Sequence, residues 1–137
     1  MASVSSELQI AIYDALRADA DVSSIVDDRI YDGVPSDRKF PYVSFGPSDT
    51  VNDHLEGVDA TTETMQLDVW SRDQGRLRPC KDLCDAVRVA LDLAELDLVV
   101  NAAVVVRVQG VRVFLDADGM TAHGVVTVEA DLETIDG

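Results

Sequence analysis

Thr64-Met65-Gln66-Leu67-Asp68-Val69-Trp70-Ser71 alternates residue by residue, with Met65, Leu67 and Val69 on one parity and Thr64, Gln66, Asp68 and Trp70 on the other. A two-residue period sends the two sets to opposite faces of a β-strand, so this segment predicts a half-buried strand. The end of the chain repeats the pattern. Val126, Val128, Ala130 and Leu132 alternate with Thr127, Glu129, Asp131 and Glu133, giving an apolar inner face and an acidic outer one.

Working back from the first of these strands, residues 47–60 (PSDTVNDHLEGVDA) are polar, acidic and rich in turn formers, and they predict a long loop or an extended hairpin tip. Before them Tyr42-Val43-Ser44-Phe45, between Pro41 and Gly46, alternates with the β-branched and aromatic residues that favour a strand. Pro35 and Pro41 bracket a turn, and Arg29-Ile30-Tyr31 extends into a short strand ahead of it. Asp19 and Asp21 offer caps for a short helical turn whose Val22, Ile25 and Val26 cover the core. The chain opens with an amphipathic helix over Ser6 to Ala18, where Ser6 and Gln9 have capping-box spacing and Leu8, Ile12, Ala15 and Leu16 form one face.

Working forward, Ser71 and Gln74 offer a second capping box for a helix over Asp73 to Asp92, with Leu77, Cys80, Cys84, Val87 and Leu91 at helical spacing. Val104, Val106 and Val108 then share one parity, but Val111, Val113 and Leu115 share the other. The inward face therefore changes at Gly110, where a bulge or bend is expected. A turn over Asp116 to Gly119 leads into the last strand. The order α, β, β, β, α, β, β predicts an α+β fold: a mostly antiparallel sheet of about five strands with two helices packed on one face.

A chain of 137 residues has the length of one domain over 1–137, able to bury roughly 65 to 70% of its unfolded surface. No repeat, low-complexity segment or linker divides it. Apolar residues make up 47% and aromatics only 5%, so Val, Leu, Ile and Ala must build the core. The formal charge is −15, and Lys39 and Lys81 are the only lysines. Gripping nucleic acid requires clustered cations that neutralise phosphates, and no such cluster exists. Met1 to Glu7 carries no basic and apolar leader, and no apolar run reaches the length of a membrane span, so a soluble protein made in the cytoplasm is expected.

Catalytic chemistry needs titratable groups that converge. His54, in the acidic loop, and His123, beside the final turn, are read as ordinary exposed imidazoles; an enzyme would need a pocket around one of them. Asp116, Asp118 and Gly119 start like a calcium loop, but Thr121 and Thr127 stand where an EF-hand needs Gly and Glu. A weak cation site there stays open beside the plainer reading, a hairpin turn. Cys80 and Cys84 are four apart on the apolar face of a helix, with no second pair at zinc-ligand spacing, and read as reduced core residues. No Gly-rich phosphate loop, GxSxG or HExxH occurs, so no catalytic, cofactor or metal site is assigned. Trp70 and Tyr42 sit opposite the predicted core faces, where a large aromatic is either a lid over a helix edge or an interface anchor.

Asp28-Arg29-Ile30-Tyr31-Asp32-Gly33-Val34-Pro35, Phe40-Pro41-Tyr42-Val43-Ser44-Phe45-Gly46, then Gln66-Leu67-Asp68-Val69-Trp70-Ser71 and Gly75 follow one another in an order that resembles the phage tail completion family, also called tail terminator or minor tail proteins. The leading helix with Ala18-Asp19-Ala20-Asp21 fits as well, and the last third is similar only as a β-rich pattern. The resemblance implies a structural protein of the virion tail, assembled in the bacterial host cytoplasm. It would cap the tail tube as a hexameric ring, end tube polymerisation and form the head–tail joining surface. The implied partners are further copies of itself, the tail tube protein and head–tail connector proteins, with no membrane. DNA would pass through an acidic ring without specific binding, because like charge repels phosphates from its wall. Val51, His54 and Leu55 of the acidic loop, together with Trp70, are the candidate partner contacts. Another head–tail neck or connector role, or an acidic DNA-mimic inhibitor, would fit the same composition.

Overall fold

The computed structural model describes residues 3–55, 58–98 and 104–133. In chain order these form α1 (Val4–Ala18), α2 (Ala20–Val26), β1 (Ile30–Tyr31), β2 (Tyr42–Leu55), β3 (Val58–Arg72), α3 (Arg78–Leu91), β4 (Ala94–Leu96), β5 (Val104–Leu115) and β6 (Thr121–Glu133). The strands make one sheet in the order β1-β2-β3-β6-β5-β4, with β1 parallel to β2 and every other pair antiparallel. The expected α+β class holds, and two details change. There are six strands, because β4 has only three residues and shows no period, and there are three helices, because the turn after Asp19 runs on to seven residues.

Helix starts follow capping chemistry. Ser3, not Ser6, caps α1 by accepting from the Ser6 backbone N–H at 3.0 Å, and Leu8, Ile12 and Leu16 are buried along one face. Asp19 both ends α1 and caps α2, its carboxylate accepting from the Val22 N–H at 3.0 Å. The expected Ser71/Gln74 box does not form. Gln74 and Gly75 adopt φ of 54° and 75°, so the backbone turns left-handed and α3 starts only at Arg78, with Pro79 in its first turn and no side-chain cap on Leu77.

The expected change of face in β5 is present as a register shift between Val108 and Gly110. Residues 47–55 and 58–60 belong to two long paired strands: β2 and β3 stay paired from Ser48↔Met65 out to Leu55↔Val58, past a second register shift between Phe45 and Ser48. At the base of this arm Glu63 is fully buried on the helix-facing side, where Ser5 Oγ donates to it at 2.5 Å and the Thr50 hydroxyl donates to its other oxygen. Ser5 lies in the first turn of α1, the end of a helix that favours negative charge.

The helices pack on each other, and α3 lies across β3, β6 and β5. Its close approach rests on Gly124. A Cβ there would collide with Cys84 Sγ and lie 3.1 Å from Cys80 Sγ and 3.3 Å from Val69 Cβ. Both cysteines are free and buried, as expected, and Cys80 Sγ donates to the Val69 carbonyl at 3.7 Å. The hydrogen bond to Cys80, together with burial, pushes the Cys84 thiol far above the ordinary range.

Gly124→Ala therefore overpacks the α3 seat and should cost about 1–3 kcal/mol of stability in urea denaturation. Gly110→Ala, where an added Cβ meets nothing within 4 Å, should be close to neutral in the same measurement. Equal losses at the two sites would refute the role given to the α3 contact.

Candidate functional site

The register places four rings in one row across the sheet. Tyr42 lies opposite Trp70, Trp70 opposite His123, and His123 opposite Phe114, on strands β2, β3, β6 and β5. Their neighbours Val43, Val69, Gly124 and Val113 have the opposite parity and face the helices. The row therefore sits on the other side of the sheet from α3.

The rings touch. Trp70 and His123 stack with centroids 3.8 Å apart and planes at 12°; Tyr42 stacks on Trp70 at 6.1 Å, and Phe114 tilts against His123 at 4.9 Å. Tyr31 and Phe40 extend the group at 5.9 and 5.3 Å from Tyr42. The chain has one Trp, three Tyr and three Phe, and five of them are gathered here. Polar ties fix the ring orientations. Trp70 Nε1 donates to the buried Ser44 hydroxyl at 3.0 Å. His123 Nε2 lies 2.7 Å from Asp68 Oδ1, which also accepts from Gln66 Nε2 at 2.9 Å. His123 is thus not the exposed imidazole expected. Its side chain is 16% exposed, and it pairs with an aspartate 55 residues away that the last strand brings alongside.

A cleft of about 420 Å³ opens at the Tyr42–Trp70 end of the row, walled by Phe40, Arg38 and Arg72 and floored on the far side by the β5–β6 turn. The Arg72 guanidinium lies 4.4 Å over the Phe40 ring, and its Nε and NH2 donate to Thr121 Oγ1 at 3.2 and 3.0 Å. Asp118 anchors that turn by accepting from the backbone N–H groups of Met120 and Thr121 at 2.9 and 2.8 Å and from the Thr121 hydroxyl at 2.7 Å. The Thr121 hydroxyl and the two backbone donors, with Arg72 nearby, hold its carboxyl down at about 2, from an ordinary 3.8. Its oxygens serve the hairpin turn, the plainer of the two readings of this segment. Among the described residues no group of three or more His, Cys, Asp or Glu could hold a metal ion, and no helix is long and apolar enough to cross a membrane.

Arg, Tyr and Trp in a concave, partly desolvated setting are the residues that carry binding energy at protein interfaces. The cleft suits protein recognition. Of the predicted contact residues, Trp70 lines it. Val51 is 61% exposed on the hairpin arm, opposite Thr62 and about 26 Å along β3 from Trp70. The backbones of His54 and Leu55 pair with Asp59 and Val58 at the end of the arm, and their side chains lie outside the described residues. The sequence reading missed Arg38, Phe40, Arg72 and Phe114. Strand parity was the available signal for Phe114, but which rings lie side by side is decided by register.

The family model described as tail completion protein gp17 matches residues 10–133. Among solved structures, a chain in "Virion of native gene transfer agent (GTA) particle" superposes with a TM-score of 0.87 and 25% identity, over 97% of this chain and 99% of that one. The "Structure of bacteriophage SPP1 gp17 protein" shares the fold with a TM-score of 0.59 and 22% identity, over 97% and 91%. No curated protein matches.

A carboxyl whose folded value lies below its unfolded one stabilises the fold above the unfolded value, and that contribution disappears as pH falls through the folded one. Asp118→Ala should therefore lower the urea midpoint by a constant amount at pH 5 to 7, and the gap to the native chain should close between about pH 4 and pH 2. A gap that keeps its full size at pH 2 would show that the carboxylate charge does not hold this turn.

Proposed function

The chain belongs to the tail completion protein gp17 family, whose members are structural components of the virion tail and not enzymes, and from that premise we propose that it closes the tail tube as a ring. In this reading the chain acts as a single domain and six copies stack on the last ring of tube protein. The ring ends tube polymerisation and presents the surface on which the connector proteins of the filled head dock. The supporting observation is the superposition of nearly the whole chain on a subunit of an assembled particle, with a family match over the same span.

The charge supports the same reading. DNA has to slide through such a ring, and a subunit at −15 repels phosphate, whereas a basic wall would hold it. The arginine–aromatic cleft is then the contact for an axial partner, with Trp70 as its anchor. Val51, His54 and Leu55 on the hairpin arm form a second contact zone. Assembly in the bacterial host cytoplasm follows from the same role.

Light scattering over a concentration series, with and without tail tube protein, tests the ring. A mass near six copies, reached alone or only with tube protein, is the expected result. A monomer or dimer indifferent to tube protein overturns it. Trp70 is the only tryptophan, so its emission reports the cleft directly. Docking of the axial partner should shift that emission, and Trp70→Ala should weaken docking by about 2 kcal/mol, roughly 30-fold in Kd. Unchanged affinity would remove the cleft from the contact.

A further inference from the structure

The two edges of the sheet are open over most of their length, and they differ. On one side β4 covers β5 only from Val104 to Val106, and the Val108 N–H is taken by Asp92 Oδ1 at 3.0 Å. Residues 109–115 have no lateral partner beyond that point among the described residues. On the other side β1 covers β2 only at Val43 and Ser44, which leaves the outer edge of the hairpin arm, residues 46–55, uncovered. Unpaired strand edges present alternate N–H and C=O groups that another strand can complete. Monomeric proteins blunt such edges with lysines, prolines and bulges; here each open stretch has a register shift at its inner end, one has Pro47 and neither has a lysine. Both edges also carry exposed apolar side chains, Val111 and Leu115 on β5 and Val51 on the arm.

Their charges are opposite. The β5 edge carries Arg107 and Arg112 and no acid before Asp116, whereas residues 47–59 carry Asp49, Asp53, Glu56 and Asp59 and no Lys or Arg. Arg107 is already held by Glu129 and Asp131, at 2.7 and 3.2 Å. Arg112 has no ion pair among the described residues and only lies 5.0 Å over the Phe114 ring. Arg112 sits opposite Val125 and Asp49 opposite Thr64, positions that share the sheet face away from the helices. If the sheet of one copy continued into the next, these opposite charges would lie on the same side.

We propose that the acidic β2–β3 arm of one copy adds as a strand to the open, basic β5 edge of a second copy, so that neighbouring subunits share a continuous sheet. The contact joins two different surfaces and leaves the β5 edge of the first copy and the acidic arm of the second free to pair again. It is therefore heterologous, the type that repeats around a ring. This inference rests on the ring reading and names the surfaces through which the ring would close.

The test combines charge reversal with amide hydrogen exchange on the full chain. Arg112→Asp and Asp49→Arg should each raise the concentration needed for half assembly at least tenfold, and the double variant should return it to within about threefold of the native chain. Assembly should weaken with added salt. In the native ring, amides of residues 109–115 and 46–55 should exchange at least tenfold more slowly than at dilutions where the chain is monomeric. That second readout decides the matter if either variant fails to fold. A native chain that assembles with no added protection at these edges, and whose charge variants assemble as well as it does, overturns the edge contact and leaves the ring standing. A native chain that never assembles, with or without tube protein, overturns both.

Discussion

The packing of α3 onto Gly124 and Val69 is the contact on which the remaining geometry depends. Two thiols, Cys80 and Cys84, occupy the space that a side chain at 124 would need, and this lets the helix lie directly on the two central strands. Val69 and Gly124 are paired across β3 and β6, and the next pair along is Trp70 and His123. A strand alternates faces, so seating the helix on one pair necessarily presents the next on the opposite side. The tightest helix contact and the tightest ring stack, 3.8 Å between Trp70 and His123, are the two faces of one stretch of ladder.

That coupling explains what could be read from the chain and what could not. The alternation in 64–70 and 126–132 was readable because these stretches are apolar toward the helices and mostly polar away from them, and both strands are where the period places them. The parity change at Gly110 was equally visible, since a bulge lets both valine sets of β5 lie on the helix side of the sheet. Local chemistry misled where two signals competed. Ser71 and Gln74 have capping-box spacing, but the left-handed backbone at Gln74 and Gly75 prevents a helix from starting there. Strand β4 is three residues long, below the length at which a period exists. The site was readable only in part. Parity put Trp70 and Tyr42 on the outer face, but their alignment with His123 and Phe114 is a matter of lateral register, which depends on contacts between residues distant in sequence, such as His123 and Asp68, 55 apart. For the same reason a histidine that looked solvated from its neighbours in sequence turned out to be sandwiched.

The net charge of −15 is not spread evenly through the fold. Among the nine arginines are Arg72 over Phe40 at the mouth of the cleft, Arg107 clamping Glu129 and Asp131, and Arg112 on the open edge. Exposed ion pairs of this kind add little to stability. Under the proposed reading their weight is in recognition, because a few cations on an otherwise acidic surface mark the places where an acidic partner can approach without repulsion.

A subunit that must touch its own copies sideways and different proteins above and below needs surfaces that do not compete. In this fold one face of the sheet is filled by helices, the other carries the ring row and cleft, and the two edges remain. Edges suit lateral contacts between identical copies, because backbone pairing demands register but little side-chain specificity. A cleft of arginines and aromatics suits an unlike partner, because its selectivity is in its side chains. The two kinds of surface lie roughly at right angles on one six-stranded sheet, so under the proposed reading lateral closure leaves the cleft free, and occupation of the cleft leaves the edges free. What couples them is β5 and β6, which supply the basic edge, the end of the ring row and, through Asp118 and Thr121, the turn that holds Arg72 in place. A neighbour adding to β5 would stiffen the strands that shape the cleft, which gives the ring a physical route to favour partner binding over the free subunit.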